Sequence, residues 1–523
     1  MFIMTSQRDR SRLLRGALAG LLAGAVAVGV GQFVASLGAQ NSSPVIAVGD
    51  SAVGLAPPAV KDFAINEFGS DDKLALLFGI YVLLGLYAVL VGLAGARRLR
   101  YGLAGLAAFT GVGLLAVTTR PGANAGWLLP ILFAAAASTV TLVLLLRNIP
   151  GSPPARTGEG AVPTSAEIDR QRRWFLRTSG VAVVVTVAGG LAGRILAERG
   201  AVTAAIKHLR LPRPKTAAPP LPAGTNLDIP GLSPFVTPNP AFYLVDIELV
   251  LPQVPPDSWQ LRIHGMVERE IVINFDELLR RPLAEAWITL CCVSDPVGGP
   301  YISNAKWLGA SLAGLIREAR PRAGADQILS TSVDGYTCGT PVQTVLDGRN
   351  ALLAVAMNGQ ALPVAHGFPA RMVVPGLYGY VSATKWVTDL KLTTFSAETA
   401  YWAQRGWSQQ AVIKTESRID VPSGNKTLRA GKNPIAGVAW AQHRGIDAVQ
   451  VRVDGGVWQE ARLAAVPGID TWRQWVLEWD ATPGSHVIEA RATDATGYTQ
   501  TPVEESTVPN GATGYPTVNV TVT

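Results

Sequence analysis

The stretch Trp287-Ile-Thr-Leu-Cys-Cys-Val-Ser-Asp-Pro-Val-Gly-Gly299 decides the fold of the second half of this chain. Its first part, up to Val293, is a short apolar run with the length of a buried strand. That run contains two adjacent thiols, Cys291 and Cys292, and turn-forming residues follow it. A thiolate at the exit of a buried strand is a candidate ligand for a soft metal ion. Alternatively, both cysteines are small core residues, as free cysteines often are.

Around this stretch, the composition divides the chain into two unlike parts. Of the 523 residues, 48% are hydrophobic and only 16% are charged, and the apolar residues are concentrated before residue 200. The length suggests roughly three or four domains. The net charge is +7, but no basic stripe is interleaved with aromatic residues, so we expect no nucleic-acid partner. Three cysteines are too few for a disulfide framework in a chain of this length.

Residues 1–200 are predicted to form an α-helical transmembrane bundle. Five segments are apolar and long enough to cross a bilayer, at approximately 16–38, 73–95, 101–119, 126–146 and 179–197. Arginines cluster before the first segment, between the second and third, and between the fourth and fifth, whereas the loops 39–72 and 120–125 carry few basic residues. The positive-inside rule therefore predicts a multi-pass plasma-membrane protein with a cytoplasmic N-terminus and an extracytoplasmic region after residue 200.

The role of this bundle is predicted to be an anchor or a docking platform. No histidine precedes residue 200, which excludes a bis-histidine haem in the bundle, and no haem-attachment motif occurs later, so we predict no haem. The acidic residues near the spans lie in the loop 39–72, so the spans lack the buried ionisable groups of an ion path.

The fifth span is preceded by Arg172-Arg173-Trp174-Phe175-Leu176-Arg177, which resembles a twin-arginine export signal. The arginines alone would also satisfy the positive-inside rule. The Phe-Leu pair at this offset favours the export signal. Because that pathway carries folded proteins that typically acquire a cofactor in the cytoplasm, the resemblance implies a cofactor in the extracytoplasmic part.

The second half is predicted to contain a linker and two domains. Prolines make residues 201–234 an extended, solvated linker. Residues 235–397 mix strands with short helices and predict an α+β domain. Residues 398–523 alternate between short strands and turns, which predicts a β-sandwich. Among the individual elements, we expect strands at Phe242–Val250 and Gln260–Val267 and helices at Phe275–Arg280 and Leu308–Glu318.

The motifs of residues 235–523, taken together and in order, resemble the sulfite oxidase family of molybdopterin oxidoreductases, especially membrane-anchored actinobacterial members. The matching segments are Cys292–Asp295, Ile302–Leu312, Met357–Pro363, His366–Gly376, Lys385–Trp386, Val438–Trp440, Val451–Gly456 and Arg491–Asp494. The resemblance implies a sulfite-oxidase-type molybdopterin domain followed by an Ig-like β-sandwich of the dimerisation type. A homodimer is compatible with that arrangement.

The resemblance also implies the site residues. Molybdenum would be bound by molybdopterin and by the thiolate of Cys292, which is thus the expected metal ligand and catalytic residue, while Cys291 and Cys338 are structural. The implied cofactor-binding residues are Asn239, Cys292, Asp334, His366, Arg371, Thr384 and Lys385. From the residues alone, His366 could instead cap a turn, and Arg371 could pair with a surface carboxylate. For Asp334, the residues favour neither pterin binding nor a purely structural role.

Departures from the family pattern concern the substrate. Pro238, and Pro296 with Val297, stand where sulfite oxidases have arginines, and Trp407 stands where they have a tyrosine. The pattern therefore predicts two-electron oxygen-atom transfer on an extracytoplasmic small molecule other than sulfite, with a separate cytochrome or quinone-linked electron partner. The alternatives are a sulfoxide reductase of the same superfamily and a cofactor-free, membrane-tethered binding module. Further candidate polar groups at the rim of the site are Arg405, His443 and Arg444.

Overall fold

The computed structural model describes residues 2–37, 43, 45–46, 48–49, 72–119, 125–149, 165–198, 201–247 and 251–523. The chain divides into a helical unit, Met1–Thr203 with Glu248–Leu251, and a β-rich unit, Ala204–Ile247 with Pro252–Thr523. Most of the predicted loop 39–72, nearly all of the loop 120–125 and the basic segment around Arg156 lie outside the described residues.

Five long helices form the described part of the helical unit. They are α1 (Phe2–Ser36), α2 (Asp72–Arg97), α3 (Leu99–Thr118), α4 (Leu129–Arg147) and α5 (Ser165–Glu198), with a 3-10 turn at Ala125–Leu128. By length and composition, each of the five contains a segment that could cross a membrane, namely Ser11–Ser36, Ala75–Arg97, Leu99–Thr118, Ala125–Arg147 and Ser165–Gly193. Among the described residues, the number of helices that could cross a membrane thus equals the predicted five, although the fifth helix begins well before residue 179.

Small residues allow α1 to pack closely against its neighbours. A side chain at Gly20 would collide with the backbone of α2 at Ala88 and Gly92. Further along α1, a Cβ at Gly29 would lie 2.8 Å from the Cα of Thr186 on α5. Close backbone approach at small residues is the usual way that helices associate within a bilayer.

The first region of the β-rich unit contains one mixed sheet, in which β1 and β10 are parallel, one antiparallel sheet, and short helices. One sheet has the strand order β2-β1-β10-β5-β6, and the other has the order β3-β4-β7-β8, with β9 paired to β7. The strands are β1 (Gln260–Gly265), β2 (Ile271–Asn274), β3 (Leu283–Cys291), β4 (Ile302–Ser311), β5 (Gln327–Ser332), β6 (Thr337–Pro341), β7 (Leu352–Met357), β8 (Gln360–Ala361), β9 (Arg371–Val373) and β10 (Val387–Thr393). The helices are α6 (Ala201–His208), α7 (Phe275–Arg280), α8 (Leu312–Ala319) and α9 (Val342–Leu346).

Two sequence-based element predictions in this region are wrong. Residues 242–247 of the predicted strand Phe242–Val250 are irregular, and the remainder lies outside the described residues. The predicted helix Leu308–Glu318 begins only at Leu312, because residues up to Ser311 continue β4 and pair with β7. The hydroxyl of Ser311 accepts the N–H of Gly314 at 3.1 Å and so fixes the helix start. By contrast, α7 has the predicted bounds and a full capping box at Asn274 and Glu277.

The C-terminal region consists of two sheets around one core. Their strand orders are β11-β13-β17-β16 and β12-β19-β18-β14-β15. The strands are β11 (Glu416–Val421), β12 (Lys426–Leu428), β13 (Gly431–Trp440), β14 (Ile446–Val453), β15 (Gln459–Glu460), β16 (Arg462–Leu463), β17 (Arg473–Ala481), β18 (Gly484–Asp494) and β19 (Thr517–Val522). Ile435 and Trp475 from one sheet share a buried cluster with Val449, Val451 and Ile488 from the other. The predicted strand-rich C-terminal region is therefore present.

The predicted linker is extended but not free in solution. Its first residues form α6, and residues 209–237 hydrogen-bond to both regions of the β-rich unit. The N–H of Lys215 donates to the carbonyl oxygen of Leu283 at 2.7 Å, which partly covers the edge strand β3. The N–H of Leu227 donates to Oε1 of Gln474 at 2.8 Å, and the indole of Trp472 donates to the carbonyl oxygen of Phe235 at 2.9 Å.

Candidate active site

Cys292 is the first residue after β3, at the mouth of the glycine-rich loop. Its N–H donates to the carbonyl oxygen of Tyr301 at 2.9 Å, and its own carbonyl oxygen accepts the N–H of Asp295 at 3.2 Å. The Asp295 carboxylate closes the loop, because Oδ1 accepts the N–H of Tyr301 at 2.7 Å. A side chain at Gly299 would collide with that same carboxylate, which explains the glycine at this position.

The two adjacent thiols are both buried but differ in their surroundings. Burial raises the pKa of Cys292 to about 11 and Asp295 raises it further, whereas hydrogen bonds from the backbone and hydroxyl of Ser294 and from the backbone of Val293 act in the opposite direction. Burial also raises the pKa of Cys291, which Asp295, Cys292 and Glu416 raise further and the charge of Arg418 lowers, and no hydrogen-bond donor to this sulfur from the described residues opposes the shift. Donors aimed at a sulfur stabilise its thiolate form. Cys292 is therefore better prepared than Cys291 to act as a thiolate ligand.

Arg371 begins β9 and places a cation in the interior. Its side chain is buried, and desolvation lowers the pKa of the guanidinium to about 10. Its hydrogen-bond acceptors are backbone oxygens, of His366 at 3.2 Å, Ala383 at 3.3 Å and Met372 at 3.4 Å. Within the described parts of the chain, it forms no ion pair with a carboxylate. The guanidinium also lies over the ring of Trp307, 5.1 Å from its centroid. A buried arginine that has carbonyl and ring partners but no carboxylate is suited to bind an anion, because an uncompensated charge is costly to bury.

His366 lies beside Arg371 in a 3-10 turn, Val364–His366. Its ring nitrogen Nε2 is 3.0 Å from the backbone oxygen of Asn239, and Phe242 packs edge-on against the ring. Burial lowers the pKa of His366 to about 4, and the charge of Arg371 lowers it further. The imidazole is therefore neutral at neutral pH. The side chain of Asn239 is itself held by Asn358, whose amide donates to Oδ1 of Asn239 at 2.8 Å.

Lys385 and Thr384 lie next to this pair but have other contacts. The Nζ atom of Lys385 is 2.7 Å from Oδ2 of Asp246 and 3.1 Å from the carbonyl oxygen of Ala365, so its charge is compensated within the protein. The hydroxyl of Thr384 is 2.7 Å from the hydroxyl of Ser330 and also hydrogen-bonds the thiol of Cys338. Thr384 thus contributes its side chain to a buried polar cluster.

Asp334 lies in the turn between β5 and β6 and is only half buried. Its Oδ1 accepts the N–H of Tyr336 at 2.8 Å, an arrangement that shapes the turn. This turn positions Tyr336, whose buried hydroxyl donates to the carbonyl oxygen of Tyr380 at 3.3 Å.

Two tyrosines near Cys292 were missed by the sequence reasoning. The pKa of Tyr243 is raised by burial first and then by the charges of Cys292 and Cys291. The pKa of Tyr336 is raised by burial and then by Cys338 and Cys292. The hydroxyl of Tyr243 and the carbonyl oxygen of Cys291 both lie beside Gly379. In the sequence, Tyr243 lies in a predicted strand and Tyr336 lies in a turn. Neither position indicates by itself that the side chain approaches Cys292.

Aromatic rings continue outward from Tyr336. The ring centroid of Tyr401 lies 5.6 Å from that of Tyr336, and Trp402 packs edge-on against Tyr401 at 5.2 Å. Trp407 packs against Trp402 at 6.3 Å and against Tyr380 at 5.8 Å. We call these five residues, Tyr336, Tyr380, Tyr401, Trp402 and Trp407, the aromatic cluster.

The candidate polar groups of the rim are already paired. The guanidinium of Arg405 stacks on the ring of Tyr401, 3.5 Å from its centroid. His443 pairs with Asp470 at 3.1 Å, and Arg444 pairs with Asp494 at 2.9 Å. Among the described residues, Arg371 is the buried cation at this site without an ion pair, whereas the contacts of Arg405 are with Tyr401, and His443 and Arg444 pair with carboxylates of the C-terminal region.

Comparison with known proteins identifies the class of the domain. Residues 248–402 match the family model described as "Oxidoreductase molybdopterin binding domain". The chain is 30% identical over 291 residues to the mitochondrial sulfite oxidase of Rattus norvegicus, covering 47% of this chain and 53% of the relative. It is 28% identical over 150 residues to the uncharacterized oxidoreductase YuiH of Bacillus subtilis, covering 29% of this chain and 72% of the relative.

A solved structure shows a further likeness. The sulfane dehydrogenase SoxCD from Paracoccus pantotrophus is 25% identical with a TM-score of 0.45, over 51% of this chain and 74% of that chain. The family match places a molybdopterin-binding oxidoreductase domain at residues 248–402 of this chain. The chain is also similar to the sulfite oxidases, which are among the curated proteins that it matches. It spans about half of the length of the mammalian sulfite oxidases that it matches.

The site residues fit the chemistry of that cofactor. Molybdopterin carries a phosphate, and a buried guanidinium without a carboxylate partner, as at Arg371, is suited to bind such an anion. Its molybdenum takes soft ligands, and the sulfur of Cys292 is a buried thiol with hydrogen-bond donors around it. The charge of Arg371 therefore suits the phosphate of molybdopterin, and the sulfur of Cys292 suits its molybdenum.

Proposed function

We propose that this chain is a membrane-anchored molybdopterin-dependent oxidoreductase that transfers an oxygen atom, with two electrons, to or from an extracytoplasmic small molecule other than sulfite. The observation that carries the proposal is the contrast between Cys292, whose sulfur receives hydrogen bonds from Ser294, and Cys291, whose thiol donates to the carbonyl oxygen of Cys292 at 3.5 Å. A cysteine that served only to fill the core would need no such donors.

In this proposal, the chain's own residues position the cofactor. The thiolate of Cys292 ligates the metal, and Ser294 holds that thiolate. Arg371 binds the cofactor's anionic group, and the neutral imidazole of His366 fixes the pterin against Asn239. Thr384, Lys385 and Asp334 complete the pterin site, with Lys385 oriented by Asp246. The bound molybdenum would supply the two-electron oxidation and reduction and the exchangeable oxygen atom.

The substrate is proposed to be neutral. Recognition of an oxyanion calls for bidentate cationic donors. Proline and valine occupy the expected arginine positions, and the candidate cations Arg405, His443 and Arg444 have partners already. The aromatic cluster instead offers ring faces. This environment favours a sulfoxide reductase as the second candidate function, because a sulfoxide is neutral and carries apolar groups.

The assembly and location are also proposed. The five long apolar helices support membrane anchoring, and Arg172-Arg173 supports export of the folded β-rich unit. Electrons would pass to or from a cytochrome or quinone-linked partner. The C-terminal region is proposed to be an Ig-like dimerisation domain, supported by its two sheets around a shared core.

The decisive experiment measures molybdenum by mass spectrometry in the full-length protein, with Cys292→Ser and Cys291→Ser alongside. We expect about one molybdenum per chain, from one cysteine ligand per site, and loss of the thiolate-to-molybdenum absorption band only in Cys292→Ser. A substrate screen on the loaded protein then compares sulfite with neutral sulfoxides. Absence of molybdenum in protein from a host that synthesises the cofactor would favour the cofactor-free binding module.

A further inference from the structure

The helical unit contains a cavity of about 250 Å³ that is lined by helices α1, α2, α3 and α4. Glycines form part of its wall, with Gly20 and Gly24 on α1, Gly85 on α2 and Gly113 on α3. Nearly all of the remaining wall is apolar. Because these helices are long and apolar enough to cross a membrane, a ligand of this cavity would come from the membrane interior.

The size of the cavity fits a small ring system. An apolar cavity of about 150 Å³ in another protein remains dry and binds benzene. The present cavity is larger by more than half and can hold two fused rings. Tyr87 and Phe109 line it, and their ring centroids are 5.5 Å apart with planes inclined by 33°. Aromatic faces together with glycine backbone provide flat surfaces for a planar ligand.

Hydroxyl groups interrupt the apolar wall. The hydroxyl of Tyr87 donates to the carbonyl oxygen of Gly105 at 2.8 Å, that of Thr110 donates to Leu106 at 2.8 Å, and that of Ser138 donates to Ala135 at 3.1 Å. Each of these hydroxyls has committed its proton and retains lone pairs that can accept a hydrogen bond. Tyr81 adds a phenol that can donate. A matching ligand is flat, largely apolar and able both to accept and to donate through oxygen.

The cavity lies toward one end of the bundle. Val45 and Val48, which follow α1 in the chain, also line it. Helix α5 runs parallel to α1, because Gly29 lies against Thr186 and Gln32 lies against Gly193. The end of α5, from which the chain continues toward residue 201, is therefore at the same end of the bundle as the cavity.

We propose that this cavity binds the ring of an isoprenoid quinone dissolved in the membrane. The inference rests on the proposed function, because oxygen-atom transfer needs an electron carrier. When water supplies the oxygen atom to a substrate, each turnover releases two electrons and two protons, which together reduce one quinone to its hydroquinone. The reverse reaction consumes one hydroquinone and releases water. An acyl chain would fill the volume but would make no use of the remaining lone pairs of these hydroxyls or of the phenol of Tyr81.

The test uses matched leucine substitutions on α3. Gly113 lines the cavity, and a Cβ there would meet Ile131 at 3.6 Å, an ordinary contact, so Gly113→Leu fills the cavity without forcing the backbone apart. Gly111, two residues earlier, is exposed and has no atom within 4 Å of a built Cβ, so Gly111→Leu is the control. Full-length proteins in phosphatidylcholine nanodiscs are photolabelled with an azidoquinone, and the labelled peptides are located by mass spectrometry.

We expect the label on α2 and α3 in the wild type and in Gly111→Leu, and at least a fivefold loss in Gly113→Leu. A second pair, Gly85→Leu with Gly79→Leu as its control, repeats the comparison on α2 in case one variant fails to fold. Equal labelling of all variants would overturn the proposal. So would labelling of the same residues by a photoreactive acyl phospholipid that unlabelled quinone does not displace.

Molybdenum content, measured on the same samples, separates this inference from the proposed function. Cys292→Ser is expected to lose the thiolate-to-molybdenum band but to retain quinone labelling. Molybdenum-free wild-type protein that still takes the label would contradict the enzymatic proposal and leave the quinone site standing. Protein with a full complement of molybdenum that does not take the label would contradict the quinone site alone.

Discussion

The Nε2 atom of His366 lies 3.0 Å from the backbone oxygen of Asn239, a contact between residues 127 positions apart in the chain. It joins two segments that are both proposed to hold the pterin. Asn358 fixes the side chain of Asn239, and Arg371 donates to the backbone oxygen of His366, so His366 links the two segments through its ring on one side and its main chain on the other.

Replacing His366 by alanine should therefore reduce cofactor retention more than it reduces stability. We expect molybdenum per chain to fall at least fivefold, because both the ring and the position of the Asn239 segment are lost. The stability cost of one such hydrogen bond is about 1 kcal/mol. The control is His264→Ala, which removes a histidine paired with Asp389 on β10. Equal molybdenum loss in both variants would show that the effect is not local to His366.

The same imidazole should make cofactor-free protein sensitive to acid. In the folded protein its pKa is about 4, below its ordinary value of 6.5. Between these values the unfolded chain binds a proton and the folded chain does not, so the free energy of unfolding decreases as the pH falls from 6.5 to 4. The loss is at most about 3 kcal/mol. Denaturant unfolding, followed by tryptophan fluorescence, should show a shallower pH dependence between pH 4 and 6.5 in His366→Gln than in the wild type; equal slopes would contradict the assignment to His366.

Replacing Arg371 should reduce cofactor binding without reducing the stability of the cofactor-free protein. Because its guanidinium is buried without a carboxylate in the described structure, Arg371→Met in cofactor-free protein should leave stability unchanged or raise it by about 1 kcal/mol. The same variant should lose molybdopterin. Arg418→Met is the opposite case, since its guanidinium pairs with buried Asp420 at 2.6 Å and donates to the carbonyl oxygen of Gly299 at 2.9 Å. That variant should be destabilised by about 3 kcal/mol; similar losses for both would contradict the assignment.

The loop after Cys292 should tolerate no side chain at Gly299. Gly299→Ala places a Cβ against the Asp295 carboxylate, so the loop must shift and carry Cys292 with it. We expect a cost of about 1–3 kcal/mol and a weaker thiolate-to-molybdenum band. Gly424→Ala is the control, because its Cβ would meet nothing within 4 Å. An unchanged band in Gly299→Ala would show that Asp295 does not determine the position of the cysteine.

Local patterns predicted much of this architecture and only part of the site. The residues of the capping box predict the start of α7, and the apolar run before Cys292 predicts the strand β3. Cys292 could therefore be placed at a strand end from the sequence. The errors arise from contacts between distant residues. Residues 308–311 resemble a helix locally but pair with β7, and Tyr243 approaches Cys292 although the chain around it looks like a strand. The partner of Lys385 is Asp246, 139 residues away, which no local pattern reports.

The extended segment at residues 209–237 has a consequence for biosynthesis. It leaves the ribosome ahead of the rest of the β-rich unit, yet the acceptor for Leu227 is Gln474, 247 residues later. The contact of Lys215 with β3 can form early, but until β17 has been translated Leu227 lacks its acceptor and the segment cannot complete its contacts. Completion of the fold is thereby tied to a late stage of translation, so a chain truncated before β17 would keep part of this segment unattached and accessible to proteases.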